Sequence, residues 1–76
     1  MSKWLDFGPP VPSQSGKTLI WVINAKEDGA FLGSIKWFGR WRRYVFHPAA
    51  ESVFEQDCLR DIATFCEQRT NDHRRR

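Results

Sequence analysis

The sequence predicts an α+β fold, a three-stranded antiparallel β-meander with one C-terminal α-helix packed on one face (β-β-β-α). Three observations predict it. Residues 18–25, 31–38 and 41–47 are rich in β-branched and aromatic side chains, the composition of strands. Asp28-Gly29 and Gly39-Arg40 separate them, each suited to a two-residue hairpin turn. Beyond Pro48, the residues Leu59, Ile62, Ala63 and Cys66 recur at i, i+3, i+4 and i+7, one stripe of a helix.

The chain opens with an aromatic and apolar patch, Trp4, Leu5 and Phe7, followed by Pro9-Pro10-Val11-Pro12. Prolines at this density favour extended geometry and exclude helix. Residues 1–16 therefore read as an extended Pro-rich arm, with a flexible joint at 13–16. The arm is expected to fold back, because Trp4 and Phe7 are costly to leave in water. One reading lays it over a sheet face, on Trp21, Phe38 and Trp41.

Residues 17–70 read as the single β-β-β-α domain. A turn centred on Asp28-Gly29 pairs Ile20 with Trp37 and Trp21 with Lys36. A turn on Gly39-Arg40 pairs Phe38 with Trp41 and Lys36 with Arg43. Combined, these registers put Ile20, Val22, Ile35, Trp37, Tyr44 and Phe46 on one face, the expected core, with Gly33 leaving room for the Phe46 ring. The other face then carries Trp21, Lys36, Phe38, Trp41 and Arg43. Pro48 ends the third strand because it has no N–H to give the ladder.

The helix is expected near 57–69, with Asp57 as N-cap or with Ser52 and Glu55 as a competing capping box. Val53 and Phe54 are expected to plug the end of the core. Cys58 and Phe65 border the stripe. Eight residues of helix hold Cys58 and Cys66 about 12 Å apart, too far for a disulfide with each other. Residues 71–76 read as a basic, frayed tail.

The formal charge of +3 comes entirely from Arg74, Arg75 and Arg76, since nine cations elsewhere balance nine acids. The distribution matters more than the sum. Lys36, Arg40, Arg42 and Arg43 fall within eight residues that hold no acid, whereas 51–67 is predominantly acidic. A basic face and an acidic face are expected, which bears on partners rather than on fold. No apolar run approaches the roughly 20 residues of a membrane span and no signal-peptide pattern opens the chain, so a soluble cytoplasmic protein is expected.

Cations interleaved with rings on an open sheet can stack bases and neutralise phosphates. The same residue types dominate protein interface hot spots. The candidate binding residues are Trp21, Lys36, Phe38, Arg40, Trp41, Arg42 and Arg43. His47, His73, Cys58 and Cys66 match no zinc-finger spacing, there is no phosphate-cradling glycine loop, and Asp57 with Asp61 reads as helix cap and first-turn charge. The chain is expected not to be an enzyme and to need no cofactor or metal.

Two resemblances accompany this reading. Gly33-Ser-Ile-Lys-Trp-Phe38 resembles the basic-aromatic strand of cold-shock domains over six residues, after which no further barrel strands follow. The longer pattern of Gly33, Ile35, Lys36, Trp37, Trp41, Arg42, Tyr44, Phe46 and Pro48, continued by Phe54, Cys58, Leu59, Asp61, Ile62, Ala63 and Phe65, is similar to small uncharacterised proteins of tailed bacteriophages and prophages. That resemblance spans residues 18–69. It implies a phage accessory protein, acting in the bacterial cytoplasm by binding a host or phage protein, as a host-takeover or anti-defence factor. The alternatives are a single-stranded RNA- or DNA-binding module using the same face, and a structural component of a larger assembly.

Overall fold

A computed structural model describes residues 3–75. The described residues form an antiparallel sheet and one C-terminal helix, as expected, but the sheet has five strands rather than three. They are β1 (Leu5–Phe7), β2 (Val11–Pro12), β3 (Leu19–Ala25), β4 (Phe31–Phe38) and β5 (Arg43–Pro48), followed by α1 (Gln56–Arg74). The spatial order is β1-β3-β4-β5, with β2 also on β3.

The two additional strands come from the arm. Leu5 pairs with Ala25 and Phe7 with Ile23, while Val11 pairs with Ile20 and Pro12 with Leu19. Pro9 and Pro10 cannot donate to a ladder, so pairing breaks between the two short strands. The arm thus extends the sheet edge instead of covering a face. Phe7 reaches the helix, its ring 4.4 Å from that of Phe65. Trp4 is not buried on Trp21, Phe38 and Trp41; it stays half exposed with the Lys3 ammonium over its ring.

Both hairpin registers differ from those expected. Ala25 N–H donates to Ala30 O and Gly29 N–H to Ala25 O, so the first loop is the four residues 26–29. Asp28 does not take positive φ as a type I′ turn would require; its carboxylate accepts from Ala30 N–H, and Gly29 alone is left-handed at φ 74°. In the second hairpin Phe38 pairs with Arg43, again leaving a four-residue loop, 39–42. Its last residue, Arg42, is left-handed at φ 54°. Four-residue loops ending this way are built around a type I turn and need no glycine at the first central position.

A bulge decides which face of β3 meets the helix. Asn24 pairs with Phe31 but Ile23 pairs with Gly33, so Leu32 is an extra residue. One extra residue flips every following side chain relative to its neighbour strand. Trp21 consequently faces Ile35 and Val22 faces Ser34. Gly33 itself, at φ 152°, passes so close to β5 that a Cβ there would lie 2.5 Å from His47 O and 2.7 Å from the Phe46 ring.

The core is therefore Leu5, Trp21, Ile23, Ile35 and Tyr44 beneath Cys58 and Ile62 of the helix. Ile35, Trp37, Tyr44 and Phe46 lie on this face as expected, but β3 contributes Leu19, Trp21 and Ile23 in place of Ile20 and Val22. Ile23 and Ile35 are fully buried. Trp21 meets Tyr44 and Phe65 edge-on, with centroids 5.3 and 5.2 Å apart, an arrangement that adds about 0.5–1.5 kcal/mol per pair to burial.

The helix starts earlier and runs further than expected. Its N-cap is Glu55, whose carboxylate accepts from Cys58 N–H at 2.6 Å. Asp57 instead pairs with Arg60 in the first turn, and Ser52 bonds back to Ala49 O. The buried stripe is Cys58, Ile62 and Thr70 with Phe65 and Cys66 beside them, rotated from the expected one; Leu59 is 50% exposed. Phe54 stacks edge-on with Phe46, whereas Val53 is exposed and plugs nothing. The helix continues through 70–74 instead of fraying, because Thr70 and His73 both dock on the sheet.

Candidate functional site

With the helix on one side, the other sheet face is uncovered. The bulge assigns it Ile20 and Val22 from β3, Ser34, Lys36 and Phe38 from β4, and Arg43, Val45 and His47 from β5. Lys36 stands directly opposite Val45 and Arg43 opposite Phe38. The opposed like-charge pair of Lys36 and Arg43 does not form; the two are diagonal neighbours, about 7–8 Å apart, where repulsion is weaker. Val22, Ile20 and Val45 fill the rest with aliphatic surface, and Val22 is 39% exposed.

The 39–42 loop closes one end of this face. Trp41 N–H donates to Phe38 O at 3.1 Å, and that turn brings the Trp41 ring edge-on to Phe38 at 4.7 Å. Trp41 remains 61% exposed. Arg40, Arg42 and Arg43 are exposed around it. Of the seven candidate binding residues, six are thus gathered on or beside the open face. The seventh, Trp21, is corrected: it is a core residue, 6% exposed, on the opposite side of the sheet.

Sequence reasoning missed two groups here. The expected registers make Ile20 and Val22 core and leave Val45 as background, although a strand apolar on both faces, such as Leu19 to Ile23, signals that its second face also meets something apolar. Spacing alone reads 71–76 as a frayed tail, yet Arg74 donates from Nη2 to Arg42 O at 3.1 Å, clamping the helix end to the loop. A glycine inside a strand pattern, here Gly33, is the available signal for the bulge.

The thiols are quiet. Both cysteines are free, Cys58 buried and Cys66 half-buried. Burial pushes the Cys66 thiol up to about 11, and burial, helped by the Glu55 carboxylate, raises that of Cys58. Both shifts run away from the thiolate that a nucleophile needs. No helix of the described residues is long and apolar enough to cross a membrane.

A relative emerges from comparison with known proteins. The chain is similar to a bacteriophage protein. The match is 38% identical over 47 residues to an uncharacterized 9.3 kDa protein of Acholeplasma phage L2, covering 62% of this chain and 59% of that protein. The chain therefore spans less than two thirds of its relative's length. No family model matches the chain, and no solved structure matches it.

Proposed function

We propose that this chain is a small non-enzymatic binding protein of bacteriophage type, which grips an acidic and partly apolar surface of a host or phage protein with its open sheet face. One observation carries the reading: the aliphatic patch of Ile20, Val22 and Val45 shares that face with the cations Lys36 and Arg43 and the Phe38–Trp41 pair. Aliphatic side chains cannot stack bases, but they fill the desolvated centre of a protein interface, and the cations suit its rim. With Trp21 in the core, the rings of this face are the Phe38–Trp41 pair at one end, and its centre is aliphatic. The similarity to a phage protein supports a bacterial host cytoplasm as the place of action.

The test is capture from a bacterial lysate by the wild type, by Val22→Asp and by Leu59→Asp. Val22 lies on the open face and Leu59 on the outer side of the helix, 39% and 50% exposed. A protein retained by the wild type and Leu59→Asp but lost with Val22→Asp supports the face. Equal capture by all three removes it.

A further inference from the structure

One end of the open face continues into a cationic corner that shares Trp41 and Arg43 with it and lies away from its aliphatic centre. At the corner where the 39–42 loop meets the C-terminal end of α1, the Arg74 side chain bonds the Arg42 carbonyl and shares a cleft with Arg43, with the exposed Arg40 in the same loop and the exposed Arg75 next in the chain. We propose that this corner binds the phosphodiester backbone of single-stranded nucleic acid, with Trp41 stacking on a base.

The juxtaposition depends on two tertiary features. Arg42 adopts the left-handed conformation, and its main-chain carbonyl accepts from Arg74 Nη2 at 3.1 Å, tying residues 32 apart in sequence. Arg43 Nε donates to Trp41 O at 3.3 Å, which folds its guanidinium back toward the same loop. Each contact uses one N–H of a guanidinium that has five, so most donors stay available.

Charge complementarity identifies the occupant. Among the described residues the ion pairs are Arg60–Asp57 and Arg69–Asp72, so none of the five corner arginines is neutralised by a carboxylate. Asp72, the acid nearest them in sequence, is already held by Arg69. Arg43 of β5 and Arg74 of α1 line a cleft of about 360 Å³, together with Asn71. Glu67 lies in the same cleft, two turns back along the helix, and limits how far an anion enters. Arg74 and Arg75 also complement the negative end of the helix dipole, so an anion meets guanidinium groups before it meets bare carbonyls.

Five like charges at one corner repel one another, and a polyanion relieves all of them together where a single carboxylate cannot. Guanidinium groups match phosphate oxygens bidentately. Trp41, 61% exposed amid these arginines, adds the stacking surface that selects an unpaired base over a duplex.

The test titrates a labelled 12-nucleotide single-stranded DNA, reading anisotropy and tryptophan quenching. If four of the cations each release a counter-ion, affinity falls about 50-fold between 50 and 200 mM salt. Arg40→Gln combined with Arg75→Gln, neither side chain holding the fold together, lowers affinity about tenfold with an unchanged melting temperature. Trp41→Ala lowers it by a similar factor and abolishes the quenching. Arg60→Gln, at the other end of the helix, changes nothing, and Val22→Asp retains oligonucleotide binding even if it loses a protein partner.

The proposal is overturned by absent binding at high micromolar oligonucleotide, by salt-independent binding, or by an Arg40/Arg75 variant that matches the wild type. Competition by polyglutamate of equal length would instead assign the corner to an acidic protein segment. Displacement by low millimolar inorganic phosphate would reduce it to a single-anion site. Either result overturns the nucleic-acid assignment.

Discussion

Tyr44 and Thr70, 26 residues apart in the chain, are joined by a buried hydrogen bond. Tyr44 N–H donates to Thr70 Oγ1 at 2.9 Å, and the same hydroxyl donates to Cys66 O at 2.8 Å. Tyr44 also accepts at its phenol oxygen from Leu19 N–H at 3.1 Å. One residue of β5 thereby satisfies an unpaired donor of β3 and fixes the last turns of α1 against the sheet edge.

Thr70→Val keeps the shape and leaves the Tyr44 N–H buried without an acceptor. The expected cost is about 1–3 kcal/mol of stability, read from urea denaturation. Thr70→Ser retains the hydroxyl and is expected to lose less than about 1 kcal/mol. Equal losses for the two would mean that the methyl packing, not the hydrogen bond, holds the helix end.

The rotated helix stripe separates two residues that sequence periodicity treats alike. Ile62→Ala removes a buried side chain and should cost about 2–5 kcal/mol. Leu59→Ala should stay within about 0.5 kcal/mol of the wild type, since half of Leu59 is already in water. Thermal melts of both variants check the assignment; a large loss at Leu59 would restore the stripe read from spacing.

Arg42 is a non-glycine residue held at φ 54°, a conformation that costs an ordinary residue about 1–2 kcal/mol. Glycine avoids that cost but loses more freedom on folding, so Arg42→Gly is expected to gain about 0.5–1 kcal/mol. The bond from Arg74 is to the main-chain carbonyl and survives the change. Arg42→Val should destabilise, because a β-branched residue is strained there. The pair of melting temperatures, one up and one down, is the check.

Two titrations bracket the pH range of full stability. Backbone and side-chain hydrogen bonding at Cys58 lowers the Glu55 carboxyl below its ordinary 4.5. A lowered carboxyl contributes stability above its unfolded value, and that contribution disappears as pH falls through the folded value. Glu55→Gln should therefore flatten the acid limb of stability below about pH 5. Cys66 acts at the other end: its thiol, ordinarily near 9.0, is raised to about 11 by burial. The unfolded chain ionises first, so stability falls as pH climbs from 9.0 toward 11. At neutral pH Cys66 should react with iodoacetamide far more slowly than the unfolded chain does, which a mass-resolved alkylation time course measures.

Local chemistry alone determined much of this protein. The β-branched runs, the turn-forming glycines and the apolar helical period settle that an antiparallel sheet carries one C-terminal helix, because propensity and patterning act within a few residues. Gly33 clearing space for Phe46 was legible for the same reason, as was the basic-aromatic character of residues 36–43. Tertiary structure decided which side of the sheet each residue of β3 faces. A single extra residue at Leu32 reverses that parity, and the energy that selects it is the burial of Trp21 and Ile23 under a helix about 30 or more residues downstream. Tertiary structure also recruited the arm as edge strands and docked Thr70 on Tyr44, which carries the helix on to Arg74 and brings that arginine to the loop. Those outcomes rest on contacts between segments far apart in the chain, whose strength no local window contains.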